Sequence, residues 1–393
     1  MTAAGDDRRS ARIDVLRGIA ILLVLLHHFN IAYRLEDTGL ARVFGWEAVR
    51  ALARNGNYGV TMFFVISGFL IASNAKRRWG ALEKIRPGEF YGMRVARIVP
   101  CLLLLLVVVN VLAWAGVAIF QNRPTTGAPV SLWLVNLASL TFWMNVLLDR
   151  YGWVNYALGV LWSLSVEEVF YLCFPILCVA MRRQRRLLWF WATLIGFAPV
   201  YRLMHQGEEA GFLYAYFASF DGIAVGCCTA LLAERVTLTP RARGLLQTGT
   251  AASMAFLYLY WPISQSNVLG VTAMSFGTAI LLLGTSDRTG GGAGSRPVWV
   301  GLGLAFEWLG RRSYELYLFH LVLLGGLRTM FPPRLADGDE KMFLLCAFLI
   351  LTLGVGEGVA RLYSEPLNAW IRRRIGASDS MRDAGDPASR SKI

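Results

Sequence analysis

Polar and apolar positions in this chain alternate on the scale of whole helices rather than single turns. Apolar runs of about 20 residues, the length that crosses a bilayer, recur between short polar stretches. Ten are visible, at 12–34, 56–75, 98–120, 160–181, 186–204, 213–233, 244–262, 267–285, 313–332 and 342–363. The pattern predicts an all-α, polytopic membrane protein with about ten transmembrane helices. An eleventh stretch, 131–148, is shorter and Trp-rich, and reads as an interfacial or re-entrant piece. Residues 1–11 form an N-terminal tail and 12–375 one membrane domain. Residues 376–393, polar and rich in Ser, Arg and Asp, read as a disordered tail. No small-residue cleavage site follows the first run, so it is expected to be an anchor rather than a removable signal.

Composition agrees. Hydrophobic residues make up 55% and charged residues 17%, against about 25% charged in soluble domains. A single soluble core could not hold so much apolar surface. The net charge of +13 is nearly all arginine, the only lysines being 76, 84, 341 and 392. With the N-terminus in the cytoplasm, 28 of the 39 Lys and Arg fall on that side, including Arg8, Arg9, Arg12, the run Lys76 to Arg97 and RRQRR at 182–186. This is the positive-inside bias. With ten crossings it places both termini in the cytoplasm, with anionic headgroups as neighbours. The charge is not a nucleic-acid footprint, because no basic segment outside the spans is interleaved with stacking aromatics. The six Cys (101, 173, 178, 227, 228, 346) sit within apolar helices. Neither a disulfide framework nor zinc spacing is present, and no metal site is expected. TGGGAGSRP at 289–297 reads as a linker, since it lacks the preceding strand and the G-K-S/T of a phosphate loop.

Ionisable residues inside membrane spans are expensive and are functional candidates by default. The first span reads RGIAILLVLLHHF, with Arg17 and His28 eleven residues apart. At about 100° per residue these two share a helix face, and His27 does not. They are either a functional pair or a snorkelling arginine with an interfacial histidine. In the second span Ser67-Gly68 is either close helix packing or a serine lining a cavity. Arg94 and Arg97, three apart, point the same way at the cytoplasmic mouth. Their guanidinium forks suit phosphate, although topogenic anchoring would also explain them. The fourth span, LWSLSVEEVFYLCFP, sets Ser163, Glu167 and Tyr171 on one stripe with Glu168 on its flank. Two adjacent carboxylates in an apolar span suggest acid–base or charge-balancing work, the alternative being a pair with a buried arginine. Asp221 in the sixth span either bonds a helix break or joins the site. Ser313, Tyr317 and His320 form a polar stripe in the ninth, where the tyrosines could equally be interfacial anchors. Glu357 and Arg361, at i and i+4, are most simply an ion pair. His205 lies at an outer helix end.

These segments, in this order, resemble the acyltransferase 3 family of integral membrane O-acyltransferases. The resemblance runs through LRGIAILLVLLHHF, FFVISGFLI, RVARIVP, LWSLSVEEVFYLCFP, FDGIAVG, SYELYLFH and SEPL, essentially the whole chain. The family's first-span motif, a basic residue, ten intervening residues and a histidine, falls on Arg17 and His28. Its paired glutamates fall on Glu167 and Glu168, and its R-x-x-R on Arg94 and Arg97. Some members carry a fused extracytoplasmic domain, and this sequence is expected to be a stand-alone member. The resemblance implies transfer of an acyl group, most often acetyl, from cytoplasmic acyl-CoA to a hydroxyl. The acceptor is usually a cell-surface or exported glycan, sometimes a lipid or a small natural product such as a macrolide. On that reading His28 is the general base, and Glu167 or Glu168 orients or charge-balances the site. Arg17, Arg94 and Arg97 hold CoA phosphates. Ser67, Ser163, Tyr171, Asp221, Tyr317 and His320 are further cavity candidates. No permanently bound cofactor and no nucleic acid are expected, and the implied location is a bacterial cytoplasmic (inner) membrane. The rival from another class is a proton-coupled transporter or flippase, in which buried Glu, Arg and His would form a relay. No inverted repeat supports it.

Overall fold

The structure, a computed structural model, describes residues 11–123, 127, 129–236, 238–283 and 299–385. The expected tail 1–11 (but for Ala11), the 289–297 linker and residues 386–393 lie outside the described residues. The described chain is helical throughout: α1 (Ala11–Tyr33), α2 (Gly39–Phe44), α3 (Trp46–Ala53), α4 (Asn57–Trp79), α5 (Pro87–Trp114), α6 (Leu132–Leu140), α7 (Met144–Tyr151), α8 (Leu161–Met181), α9 (Gln184–Met204), α10 (Tyr216–Leu232), α11 (Pro240–Tyr260), α12 (Ile263–Leu282), α13 (Trp299–Met330), α14 (Gly338–Val359) and α15 (Glu365–Gly385).

Each expected span has its helix, and the differences have local causes. Among the described residues eight helices are long and apolar enough to cross a membrane. The two outside that set, α11 and α13, are diluted by polar residues. In α11 these are Arg241, Arg243, Gln247 and a run of Thr and Ser; in α13 they are Glu307, Arg311, Arg312, Glu315 and His320. The third helix begins at Pro87 rather than 98, because proline at the first position is preorganised for a helix and RVARIVP continues it. The 131–148 stretch becomes α6 and α7, of nine and eight residues, each too short to cross. After α14 the chain passes through one π turn, Ala360–Ser364, into α15. This last helix runs to Gly385, through the first ten residues of the stretch expected to be disordered.

The centre of the molecule is a row of helices, α13 on α1, α1 on α4, α4 on α10 and α10 on α9. Without a hydrophobic drive between helices in lipid, close approach depends on small residues. A Cβ on Gly18 would meet the Phe306 carbonyl, and one on Gly310 the Asp14 carbonyl. These glycines therefore weld α1 to α13. Gly68 and Gly226 do the same for α4 and α10, against the carbonyls of Ile223 and Val65. The outward faces stay apolar, as at Val107, Val111, Phe343 and Ile350. With α5 and α8 completing the ring, the row leaves a space between α1, α4, α5, α8 and α13.

Candidate active site

That space is a cavity of about 950 Å³, part of it open to solvent. It is lined by Arg17 of α1, Ser67 and Asn74 of α4, Arg94 and Arg97 of α5, Ser163, Glu167, Glu168 and Tyr171 of α8, and Ser313, Tyr314 and Tyr317 of α13, with Phe63 and Phe64 among its apolar walls. Helix periodicity explains the gathering. Ser163, Glu167 and Tyr171 recur every fourth residue along α8, and Ser313 and Tyr317 do so along α13. Arg94 and Arg97 sit one turn apart on α5. In α4, Gly68 packs on α10 while Ser67, about 100° round the helix, faces the cavity. Both readings of Ser67-Gly68 therefore hold, each for one residue.

The polar groups are ordered along the helix axes. At the end shared by the start of α5 and the close of α4, exposed Asn74 stands at the mouth. Behind it the Arg94 guanidinium lies 4.0 Å above the centre of the Tyr171 ring, a cation–π contact that holds its fork in place. Deeper in, Ser67 Oγ and Tyr171 OH both donate to Glu167 Oε1. Glu168, only 6% exposed, keeps one carboxylate oxygen without a hydrogen-bond partner among the described residues. A buried acceptor left unsatisfied is costly, and it belongs to a residue that lines the cavity. At the far end Ser163 Oγ and Tyr317 OH are 2.7 Å apart, and Tyr317 OH donates to the Val160 carbonyl at 3.0 Å. Tyr314 OH donates to the Ile98 carbonyl at 3.0 Å, tying α13 to α5.

His28 does not line this cavity. It lies beyond Tyr317, with its Nδ1 3.3 Å from Nε2 of His320 and the two rings 4.9 Å apart. The His320 ring is in turn 5.7 Å from that of Tyr317. His320, expected in the cavity, is instead fully buried behind it. His27 turns away, its Nδ1 bonded to the Ala53 carbonyl at 2.9 Å and its side chain packed under Gly56. It anchors the turn between α3 and α4.

With His320, the structure moves a second cavity candidate out of the cavity. Asp221 is not at the cavity. It is fully buried against Arg202 at 2.9 Å, and Thr272 donates to the same carboxylate oxygen at 2.7 Å. Arg202 also donates to the carbonyls of Ala218 and Val268. This ion pair staples α9, α10 and α12 together. Glu357 and Arg361 do form the ion pair expected of their spacing, with Arg312 as a third member at 2.6 Å. His205 stacks on Tyr201 at 4.2 Å. Asn74, a polar cavity residue that no candidate motif includes, is seven residues from Ser67 and so on the same face of α4, and that spacing is its sequence signal. Among the described residues no cluster of His, Cys, Asp or Glu could hold a metal ion.

Comparison with known proteins places this architecture. The peptidoglycan O-acetyltransferase OatA of Listeria monocytogenes is 28% identical over 163 residues, 42% of this chain and 23% of OatA. The Bacillus subtilis protein YrhL, whose name assigns peptidoglycan O-acetylation provisionally, is 26% identical over 327 residues, 78% of this chain and 47% of YrhL. The Staphylococcus aureus protein SACOL0978, named provisionally as an O-acetyltransferase, is 22% identical over 380 residues, 90% of this chain and 56% of its own. The chain thus spans about half the length, or less, of these curated relatives. No solved structure matches. The acyltransferase 3 family model, an acyltransferase domain, matches residues 10–356. Over most of its length, then, this all-α, multi-pass membrane chain belongs to the acyltransferase 3 family.

Proposed function

We propose that the protein is an O-acyltransferase of the bacterial cytoplasmic membrane. It moves an acyl group, acetyl first among the candidates, from cytoplasmic acyl-CoA to a hydroxyl of a cell-surface or exported glycan. The observation that carries this reading is the convergence of the Arg17, Arg94 and Arg97 guanidinium groups on one cavity whose opposite end abuts the His320–His28 pair. Planar guanidinium forks match phosphate oxygens, and three of them suit the polyanionic end of CoA. The relatives' names support O-acetylation, and two of them name peptidoglycan.

A hydroxyl is a poor nucleophile until its proton is taken by a positioned base. His28 accepts that proton as the acceptor oxygen attacks the thioester carbonyl carbon. A C–O bond forms, the C–S bond breaks, and CoA leaves as the thiolate. The proton on His28 then returns to the sulfur, giving the free thiol and leaving the imidazole neutral. Glu167 and Glu168 balance the arginine charge when no donor is present. Glu168 offers its unpartnered oxygen to a substrate hydrogen-bond donor.

The test is mass spectrometry of surface polysaccharide and secreted products from cells with and without the protein, with His28→Ala and His27→Ala assayed alongside after both are shown to reach the membrane. The expected outcome is an acyl mark on a glycan that disappears with the protein and with His28→Ala, and survives His27→Ala. A mark on a lipid or a secreted small molecule would move the acceptor. Full activity of His28→Ala would remove the base assignment.

A further inference from the structure

The paired histidines, His320 fully buried and His28 partly so, carry more than proximity. An N–H must face a carbonyl oxygen, because a carbonyl cannot donate. His320 Nδ1 lies 2.7 Å from the Tyr317 carbonyl, so that nitrogen bears the hydrogen and Nε2 of the neutral ring is a bare acceptor. His28 Nδ1 lies 2.9 Å from the Val24 carbonyl, one turn back on its own helix, so it too is an N–H. The same His28 Nδ1 is 3.3 Å from His320 Nε2. One hydrogen is thus shared between a backbone carbonyl and an imidazole lone pair. The ring nitrogen left without a proton is His28 Nε2.

We propose that His320 is the positioning residue for the base: its Nε2 accepts from His28 Nδ1–H, fixes the tautomer that leaves His28 Nε2 bare, and stabilises the imidazolium formed when that nitrogen takes the acceptor's proton. This rests on the reading of His28 as the base. The logic is that of any catalytic base oriented by a third group, with a neutral imidazole in the orienting role. When His28 becomes positively charged, its Nδ1–H becomes a stronger donor. A charge-assisted bond to His320 gains more than a neutral one, so the partner acts most where charge develops. His320 is itself held rigidly. It is 0% exposed, bonded through the Tyr317 carbonyl, and carried on α13, which the Gly18 and Gly310 contacts press against α1.

Two variants separate positioning from simple support. His320→Gln carries an amide oxygen at about the reach of Nε2, and its amide nitrogen can still donate. His320→Asn reaches only as far as Nδ1, so it keeps a polar group of similar character near Tyr317 and loses the contact with His28. With the acceptor found by mass spectrometry and acetyl-CoA as donor, the expected result is a ten- to hundredfold fall in kcat for Asn, on the order of a share of general-base catalysis. The KM for acetyl-CoA should be unchanged, and Gln should restore most of the rate. Equal kcat values in the two variants, per folded molecule, would overturn the proposal, as would a loss confined to KM. A second measurement needs neither turnover nor acceptor. Solid-state NMR of the wild-type protein with nitrogen-15-labelled histidine, assigned by difference from His28→Ala, should show His28 protonated at Nδ1 and hydrogen-bonded to a ring nitrogen. An Nε2–H tautomer for His28 would overturn it. Failure of the base assignment itself reads differently, as full activity in His28→Ala; a dead His28→Ala beside a fully active His320→Asn sinks only the role of His320.

Discussion

Arg94 shows how much a single side chain of this site depends on its shape as well as its charge. Its guanidinium is stacked on Tyr171 at 4.0 Å, and Tyr171 is held in turn by its bond to Glu167. Lysine would keep the charge and lose both the planar stack and the two-pronged match to phosphate. Arg94→Lys is therefore expected to raise the KM for acetyl-CoA about tenfold, the loss of roughly one charge-assisted hydrogen bond, with kcat little changed. Donor saturation curves measure this, and an unaltered KM would take Arg94 out of donor binding. Residues of this kind were legible in the sequence because their relationships are local. Arg94 with Arg97, and Ser163 with Glu167 and Tyr171, are each fixed by the turn of one helix, whereas of Arg17 and His28 only Arg17 lines the cavity. The His28–His320 contact joins residues 292 apart in sequence, and no periodicity reports it. Asp221 failed for the same reason. A carboxylate in an apolar span looks functional until its arginine is found, and Arg202 sits on a different helix.

At the scale of elements, the spans were legible because apolar length is a property of each helix alone. Their boundaries and exceptions were set by neighbours. Helix α13 is the clearest case: the polar residues that serve the cavity, and the Arg312 network with Glu357 and Glu365, are also what lower its hydropathy. The short helices α2 and α3 are not visible in the sequence pattern, since neither carries a long apolar run. What places α13 correctly is its glycine contact with α1, because Gly310 lies against the Asp14 carbonyl with no room for a Cβ. Gly310→Val should force the two helices apart and destabilise the protein by about 1–3 kcal/mol, the usual range for overpacking. It should also slow turnover by separating His28 from His320. Gly326→Ala, on the same helix with nothing within 4 Å of the new methyl, is the control expected to match wild type. Thermal unfolding of the two purified variants distinguishes them. Equal stability would mean that the α1–α13 contact is looser than its geometry states.

The whole molecule is closed at both ends by ion pairs that leave the cavity between them. At one end Arg312 joins Glu357 and Glu365, while Ser364 donates to Glu315 at 2.8 Å. This binds α13 to α14 and to the turn before α15. At the other end Lys341 reaches Asp37 at 2.6 Å, and the Gly338 N–H donates to the other oxygen of that carboxylate at 3.0 Å. Arg42 pairs with Asp339 at 3.0 Å. The hydrogen bond from Lys341 pulls the Asp37 carboxyl below its ordinary range, with a smaller contribution from Gly338 against a modest desolvation cost. A carboxyl depressed in the folded state stabilises the fold above its unfolded pKa, and that stabilisation is lost as pH falls through the folded value. The window therefore lies in acid, below about pH 4, and the neutral range is flat for this group. Asp37 is 40% exposed, so solvent screens the pair and its share is small. Asp37→Asn should lower the melting temperature at pH 7 by about 1–2 °C. The gap to wild type should close as the pH is taken below 4, where the wild-type carboxyl is protonated too, and should narrow at high salt at any pH. Because the pair lies at the opposite end of α1 from Arg17, the KM for acetyl-CoA should not move. A gap that persisted undiminished into acid would mean the asparagine had disturbed the packing of the turns after α1 and before α14, and that the ion pair was not what held them together.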